Sequence, residues 1–217
     1  MIAKGLLFGD THSYDDLNLI LSECTVPPAK PKTAYIDIPG ADGSVDLTES
    51  HGVVKYSDRD CTFVFSMIPS ESMTWEEKKT EVSNLLNGQV FRITLDKDED
   101  FYYQGRCTVN DYLSDRNLKQ ITVTARVHPY KFKQTVTVKN FVLTDEWQEI
   151  SIQNSRKTVC PEITCTNDNV KISFGKSAFN LSAGTHKILD IIFSEGRNIL
   201  KVSGSGTVTF AFQEGEL

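Results

Sequence analysis

The chain has 217 residues, 39% hydrophobic and 24% charged, a composition typical of soluble globular proteins. Its net charge of −6 argues against wrapping around duplex DNA, because such binding depends on Lys and Arg residues that neutralise phosphates. We expect neither membrane insertion nor export, since no apolar run approaches the roughly 18 residues of a membrane span and the N-terminus turns polar too soon for a signal peptide.

The first distinctive element is an acidic stretch with two glycines, DIPGADGSVDLT, at residues 37–48. Its composition leaves three interpretations open: a metal-binding loop, a catalytic loop or a turn. Proline presets one backbone dihedral angle, glycine permits positive φ, and aspartate side chains accept hydrogen bonds from backbone amides. These properties favour a turn in which the acids stabilise the backbone and do not bind a metal. Its residues are Asp37, Pro39, Gly40, Asp42, Gly43 and Asp46.

Strands with a clear period of two flank the middle of the chain. Apolar and polar residues alternate over residues 60–67 and again over residues 121–127, which predicts two half-buried strands. Between them, residues 89–112 predict a hairpin, because two strand-like runs are separated by an acidic turn at residues 96–100.

One segment, Thr74–Gly88, predicts an amphipathic helix. Thr74 and Glu77 have the spacing of a capping box, and Gly88 can adopt the left-handed conformation that follows a helix. Trp75 begins an apolar face that leaves the charged residues on the opposite side. We therefore expect this helix to lie against a sheet or barrel.

A proline and several basic residues interrupt the strand pattern at residues 127–134. We place a domain boundary there, which gives domains of residues 1–131 and 132–217. The second domain contains only short strands at the spacing of an antiparallel β-sandwich. Its strands are predicted around residues 134–139, 147–152, 159–165, 170–174, 186–193, 198–203 and 206–212.

Motifs for catalysis, a cofactor or a metal are absent from the sequence. Gly175-Lys176-Ser177 resembles the end of a P-loop, but Val170 stands where the first glycine is required. The acidic run 96–100 begins like an EF-hand loop, but Phe101 takes the place of its glycine. The four histidines lack metal-binding spacing, and the five cysteines form no C-x-x-C pair. We predict no catalytic, cofactor-binding or metal-binding residue, and buried or half-buried thiols.

Residues 30–65, KPKTAYIDIPGADGSVDLTESHGVVKYSDRDCTFVF, carry several short motifs in a fixed order. The order of these motifs resembles that of the siphophage distal tail proteins, the Dit family. The resemblance continues through the helix, the Y-x-G-R motif and the closing Gly-Glu-Leu. The likeness covers nearly the whole chain. The residues that carry it, apart from the turn, are Tyr56, Arg59, Trp75, Tyr103, Gly105 and Arg106.

The resemblance implies a mainly β fold with one or two helices. The N-terminal domain would be a ring-forming β-barrel or sandwich like the tail-tube fold, with a flanking helix and a projecting hairpin. The C-terminal domain would be a galectin-like antiparallel β-sandwich. The turn at residues 37–46 would lie in the projecting hairpin, a natural place for contact between subunits.

The resemblance also implies a structural, non-enzymatic protein of a long-tailed phage or prophage. It would form a homo-hexameric hub at the virion tail tip, after assembly in the cytoplasm of the bacterial host. The implied partners are the tail tube protein, a tail-tip or tail-associated protein and a receptor-binding protein. DNA would pass through the centre without specific binding, and no cofactor is implied.

Two other functions stay open. A galectin-like sandwich is compatible with a carbohydrate-binding adhesion module of the tail tip, for which Trp147 and the run Asn167–Asn169 are the candidate residues. A cell-wall hydrolase is compatible with a tail tip, although no motif supports it. The short second domain leaves no room for the inserted carbohydrate-binding module that many members of the family carry.

Overall fold

The computed structural model describes residues 5–50, 52–68, 74–115 and 119–217. Over this range the fold is mainly β with a single helix, which confirms the predicted fold class. The chain divides into two compact units, Met1–Lys131 and Phe132–Leu217, called here the N-terminal and C-terminal units. The whole net charge of −6 lies in the N-terminal unit, because the C-terminal unit has equal numbers of acidic and basic residues.

The N-terminal unit is built on one antiparallel sheet with the strand order β2-β1-β7-β8-β9-β6-β3, while β4 and β5 pair only with each other. Its elements in chain order are β1 (Leu6–Phe8), β2 (Thr11–His12), β3 (Leu19–Thr25), β4 (Tyr35–Asp37), β5 (Ser44–Asp46), β6 (Arg59–Met67), α1 (Trp75–Leu86), β7 (Val90–Leu95), β8 (Phe101–Ser114) and β9 (Lys119–Val127).

The large sheet curls around one core. Phe8 on β1 packs against Phe63 and Phe65 on β6, with ring centroids 6.5 and 6.1 Å apart, although three strands separate β1 from β6 in the sheet. The alternation predicted over residues 60–67 and 121–127 is observed, since every second residue is buried from Arg59 to Phe65 in β6 and from Ile121 to Val127 in β9. The pattern of period two therefore marks the inner face of a strongly curved sheet.

Helix α1 begins with the predicted capping box. The amide of Glu77 donates to Thr74 Oγ1 at 3.3 Å, and the Glu77 carboxylate accepts from the amide of Thr74 at 2.8 Å. Gly88 follows the helix with a left-handed φ of 77°. The buried residues of the helix are Trp75, Lys78, Val82 and Leu86. Lys78 departs from the predicted separation of charged and apolar faces, and its ammonium is paired with Glu81.

The C-terminal unit, whose residues are all described, has two four-stranded antiparallel sheets around a second core. Their orders are β11-β18-β13-β16 and β12-β17-β14-β15. β10 (Lys131–Lys133) begins one residue before the boundary of this unit. The other strands are β11 (Thr137–Val142), β12 (Gln148–Asn154), β13 (Glu162–Cys165), β14 (Val170–Phe174), β15 (Ser177–Leu181), β16 (Gly184–Lys187), β17 (Gly196–Ser203), β18 (Thr207–Phe212) and β19 (Gly215–Glu216).

One strand prediction for this unit is wrong, and one strand of the structure was not predicted. The strand expected over residues 186–193 is the short β16, which ends at Lys187, and Phe193 forms only an isolated bridge. β15 was not predicted, because few large apolar residues in SAFNL face the core. Gly175 and Lys176 form the two-residue loop of the β14–β15 hairpin, with Gly175 at a φ of 60°.

Candidate assembly surface

The hairpin of β4 and β5 contributes no residue to either hydrophobic core. Tyr35 is paired with Asp46 in this hairpin, and no residue of either strand is buried. Closer to the N-terminal unit, backbone hydrogen bonds of 2.8 and 2.9 Å join residues 30–32 to residues 55–57. The two chain segments therefore run side by side, and we call residues 30–57 the arm.

The tip of the arm is a turn of the kind that its residues favour. The amide of Ala41 donates to the carbonyl of Ile38 at 3.1 Å, with Pro39 and Gly40 between them. Gly40 has a φ of 83°, which is the conformation that a type II turn requires at its third residue. Gly43 also has a positive φ, of 74°. Proline and the two glycines thus occur where the backbone needs them.

Two of the three predicted turn acids make hydrogen bonds there. Asp37 accepts from the hydroxyl of Ser44 at 2.5 Å, and Asp46 accepts from the amide of Thr48 at 2.8 Å. Hydrogen bonds from the side chain and backbone of Thr48 lower the pKa of Asp46. Asp42 makes no hydrogen bond or ion pair with any described residue. Among the described residues, no group of three or more His, Cys, Asp or Glu side chains could hold a metal ion, and His51 lies outside them.

One face of the hairpin is apolar and uncovered. Ile36 is opposite Val45, and because side chains alternate along a strand, Ile38 and Leu47 project to that same face. These four side chains are between 37% and 53% exposed. An isolated two-stranded hairpin is only marginally stable in water, and this apolar face is exposed in the single chain. These apolar residues were not predicted as site residues, although their alternation in YIDI and SVDL was a usable signal.

Arg59 and Tyr103, two of the residues that carry the family resemblance, meet inside the N-terminal unit. The Arg59 guanidinium lies 5.2 Å from the centre of the Tyr103 ring, and the Arg59 residue is 6% exposed. Burial raises the pKa of Tyr103. Tyr56, at the base of the arm, packs edge to face on Tyr130 at a centroid distance of 6.1 Å. These contacts give the residues a structural role at the base of the arm.

The remaining motif residues are also structural. A Cβ atom on Gly105 would lie 2.1 Å from the carbonyl oxygen of Arg126, so the strands β8 and β9 leave no space for a side chain. The Arg106 guanidinium donates to the carbonyl of Gly88 after the helix. Trp75 packs edge to face on Tyr112, with centroids 6.3 Å apart. These contacts tie the helix to the sheet.

The C-terminal unit contains an open cleft of about 450 Å³ with acidic residues in its lining. Glu214 in this lining accepts hydrogen bonds from Lys133 at 2.8 Å, Thr137 at 2.5 Å and Ser155. Burial alone would raise the pKa of Glu214, but these hydrogen bonds lower it to about 2. The carboxylate thus serves as an anchor for three segments of the unit, and its charge is already compensated.

Two of the four candidate sugar-binding residues, Asn167 and Asp168, make hydrogen bonds within the fold. Trp147 is 52% exposed. Asn167 donates to the hydroxyl of Ser205 at 3.2 Å, and Asp168 accepts from the amide of Ala183 at 2.8 Å. Asn169 has a left-handed φ of 62°. A sugar site needs polar groups that are free to bind hydroxyls, so these bonds count against Asn167 and Asp168.

The thiols have the environment predicted for them. The five cysteines are unpaired, with Cys61, Cys107 and Cys165 buried and the other two half-buried. Burial raises the pKa of Cys61 to about 11 and that of Cys107 to about 12, so these thiols are poor nucleophiles at neutral pH. Among the described residues, no helix is long and apolar enough to cross a membrane.

Comparison with known proteins gives a match by structure alone. No family model matches the sequence, and no curated protein matches it. The crystal structure of SPP1 Dit (gp 19.1), described as a paradigm of the hub adsorption apparatus in phages that infect Gram-positive bacteria, superposes with a TM-score of 0.70. The alignment covers 98% of this chain and 99% of that chain, at 13% sequence identity.

A second solved structure, the baseplate of phage p2 in its activated conformation with Sr, aligns over 91% of this chain and 90% of that chain. Its TM-score is 0.37 at 9% identity, which is too low to support an argument. The match to SPP1 Dit extends over both units and shows that this chain has the same fold. The resemblance to distal tail proteins is thereby confirmed at the level of the fold.

Proposed function

We propose that this chain is a structural distal tail protein of a siphovirus-type phage or prophage, which acts as the hub between the tail tube and the tail tip. The observation that carries the proposal is the match to SPP1 Dit along the full length of both chains. A match confined to one unit would support only a common sandwich domain, which hosts many functions. Here the alignment covers 98% of this chain and therefore includes both units.

The proposed assembly is a homo-hexameric ring formed by the N-terminal units. A ring needs a head-to-tail interface in which every subunit uses two different patches. The apolar face formed by Ile36, Ile38, Val45 and Leu47 supports such a patch, because it is exposed in the single chain and lies on an element with no core of its own. In this proposal the turn residues Asp37, Pro39, Gly40, Asp42, Gly43 and Asp46 shape the end of that contact.

The ring would leave a central passage for DNA during ejection. The net charge of −6 lies in the N-terminal unit, and an acidic surface repels phosphates. This supports passage of DNA through the ring without binding to it. The proposed partners are the tail tube protein on one side and tail-tip, tail-associated and receptor-binding proteins on the other. The role is non-enzymatic, as the strongly shifted ionisable groups, Glu214 and the buried thiols, lie in structural environments.

Light scattering behind size exclusion, over a wide range of protein concentration, tests the assembly. The expected result is a species near six times the 24.3 kDa mass of the chain. Negative-stain images of that species should show rings with a central hole. A monomer at every concentration, with no rings in the images, contradicts assembly of the chain by itself.

A further inference from the structure

The charges of the arm are separated along its length. The sequence contains no Lys or Arg between Lys32 and Lys55, while the same interval contains four acids. These are Asp37, Asp42, Asp46 and Glu49. We call residues 33–54 the acidic segment. Its side chains are almost all exposed, so its charge faces outward and not into a core.

The base of the arm is basic on one face. Pro31 and Tyr56 form an antiparallel bridge, which places Lys32 opposite Lys55 and Lys30 two positions away on the same strand. Cross-strand partners and alternate residues project to the same face of a two-stranded ribbon, so the three ammonium groups share one face. We call Lys30, Lys32 and Lys55 the lysine face.

Nothing within the described chain neutralises the lysine face. All three lysines are exposed, and none forms an ion pair with any described residue. Like charges directly opposite each other on paired strands are destabilising, so Lys32 and Lys55 are unfavourable neighbours in the single chain. A surface of this kind becomes favourable only when an acidic partner is placed against it.

The acidic segment of the same copy makes no ion pair with the lysine face in the described chain. Asp46 is paired with Tyr35, three residues from Lys32 and so roughly 10 Å of extended chain away, and Asp37 is five residues from Lys32, roughly 17 Å. Exposed charges are largely screened beyond the Debye length of about 8 Å at physiological ionic strength. The two charged parts of one arm therefore gain little from each other, whereas parts from two copies can meet directly.

We propose that the lysine face of one copy binds the acidic segment of the arm of a second copy. The inference rests on the proposed ring, and it names the patches that make its head-to-tail contact. Each arm offers an acidic segment towards its tip and a lysine face at its base, so the contact can repeat from copy to copy. The apolar face of the hairpin would bury apolar side chains in the same contact. The N-terminal unit outside the arm has a net charge of −5, which disfavours docking of the acidic segment there.

Charge reversal tests this pairing. The first variant carries Lys30→Glu, Lys32→Glu and Lys55→Glu. The second carries Asp42→Lys and Glu49→Lys, which are chosen because neither side chain bonds to a described residue. Each variant alone brings like charges together, so we expect self-association to weaken at least about tenfold. An equimolar mixture places opposite charges together again, and its association should return to within about threefold of the unmodified protein.

A matched control keeps the same change of charge away from the arm. The variant Lys139→Glu, Lys171→Glu and Lys176→Glu reverses three exposed lysines of the C-terminal unit and should assemble like the unmodified protein. Association is measured by sedimentation, and unfolding curves establish that every variant is folded.

The outcomes separate this inference from the proposed function. Rings that form equally well in all variants overturn the lysine-face pairing and leave the hub role standing. Weakened variants that do not recover on mixing also overturn it, because the charges then act without pairing. Absence of self-association in the unmodified protein contradicts a second copy as the occupant, and the hub role is then tested by binding to tail tube protein.

Discussion

Gly105 lies where strands β8 and β9 approach too closely for a side chain, since a Cβ atom there would be 2.1 Å from the carbonyl oxygen of Arg126. We expect Gly105→Ala to lower the free energy of unfolding by about 1 to 3 kcal/mol, because the backbone must shift to admit the methyl group. Urea unfolding measures this change. Thr108→Ala, at an exposed position of the same strand, should change it by less than about 0.5 kcal/mol. Equal effects of the two changes contradict the steric explanation.

Glu214 should make the C-terminal unit sensitive to acid. Its folded pKa of about 2 lies below its ordinary value of 4.5, so the ionised form stabilises the fold. That stabilisation is complete above pH 4.5 and is lost as the pH falls towards 2. We expect unfolding stability to decline by roughly 2 kcal/mol over this interval, and Glu214→Gln to remove most of the decline.

Tryptophan fluorescence can follow the loss of stability in acid within the C-terminal unit, which contains Glu214. In a Trp75→Phe background, Trp147 is the one tryptophan left, and it belongs to the C-terminal unit with Glu214. A series of urea curves between pH 2 and pH 6 then compares glutamate with glutamine at residue 214. A parallel decline in the two proteins would assign the acid sensitivity to other carboxylates.

At the scale of elements, helix α1 depends on its N-terminal cap. Thr74→Ala removes the hydroxyl that accepts from the amide of Glu77, and we expect a loss of about 1 kcal/mol in unfolding free energy. Ser83→Ala, within the helix and away from its cap, serves as the control. The measurement is again urea unfolding, and a loss at residue 83 as large as that at residue 74 would contradict a specific capping role.

The arm should be dispensable for folding and necessary for assembly. Replacing residues 35–46 by a short Gly-Ser linker removes side chains that no core contains, so unfolding stability should change by less than about 0.5 kcal/mol. Self-association should be lost, which size exclusion with light scattering will detect. A destabilised N-terminal unit would instead show that the hairpin contributes to its fold.

Elements with strong local signals could be predicted from sequence alone, and those that depend on distant partners could not. Helix α1 has a cap, an apolar face and a terminal glycine within fifteen residues, and β6 and β9 alternate along their length. β15 and β16 have few inward-facing apolar residues, and they are strands because β14 and β13 pair with them. Lys78 is buried because the helix lies on the sheet, which the helical spacing does not reveal.

For the whole molecule, the expectation from charge is weak interaction with nucleic acid. We expect no measurable binding of duplex DNA at physiological salt, because the net charge of −6 opposes contact with phosphates. Fluorescence anisotropy with a labelled duplex checks this. Binding that falls with added salt and disappears on reversal of Lys30, Lys32 and Lys55 would instead identify the base of the arm as a phosphate site.

The candidate assembly surface was only partly predictable at this scale. The turn residues of the arm follow from local chemistry, and the family resemblance supplied the projecting hairpin. The lysine face and the apolar face depend on which residues stand opposite each other, and that register is set by backbone pairing across the arm. Likewise, Phe8 meets Phe63 only because the sheet curls. Such relations between distant positions have no local signal.

The separation of charge along the arm also allows a measurement of whether the ring has an even or an odd number of subunits. A closed ring of the two complementary charge-reversal variants must alternate them, and strict alternation closes only when the number of copies is even. An odd ring would contain one seam where like charges face each other. Equal incorporation of the two variants into closed rings, read by native mass spectrometry, would therefore identify an even number of subunits without any image of the assembly.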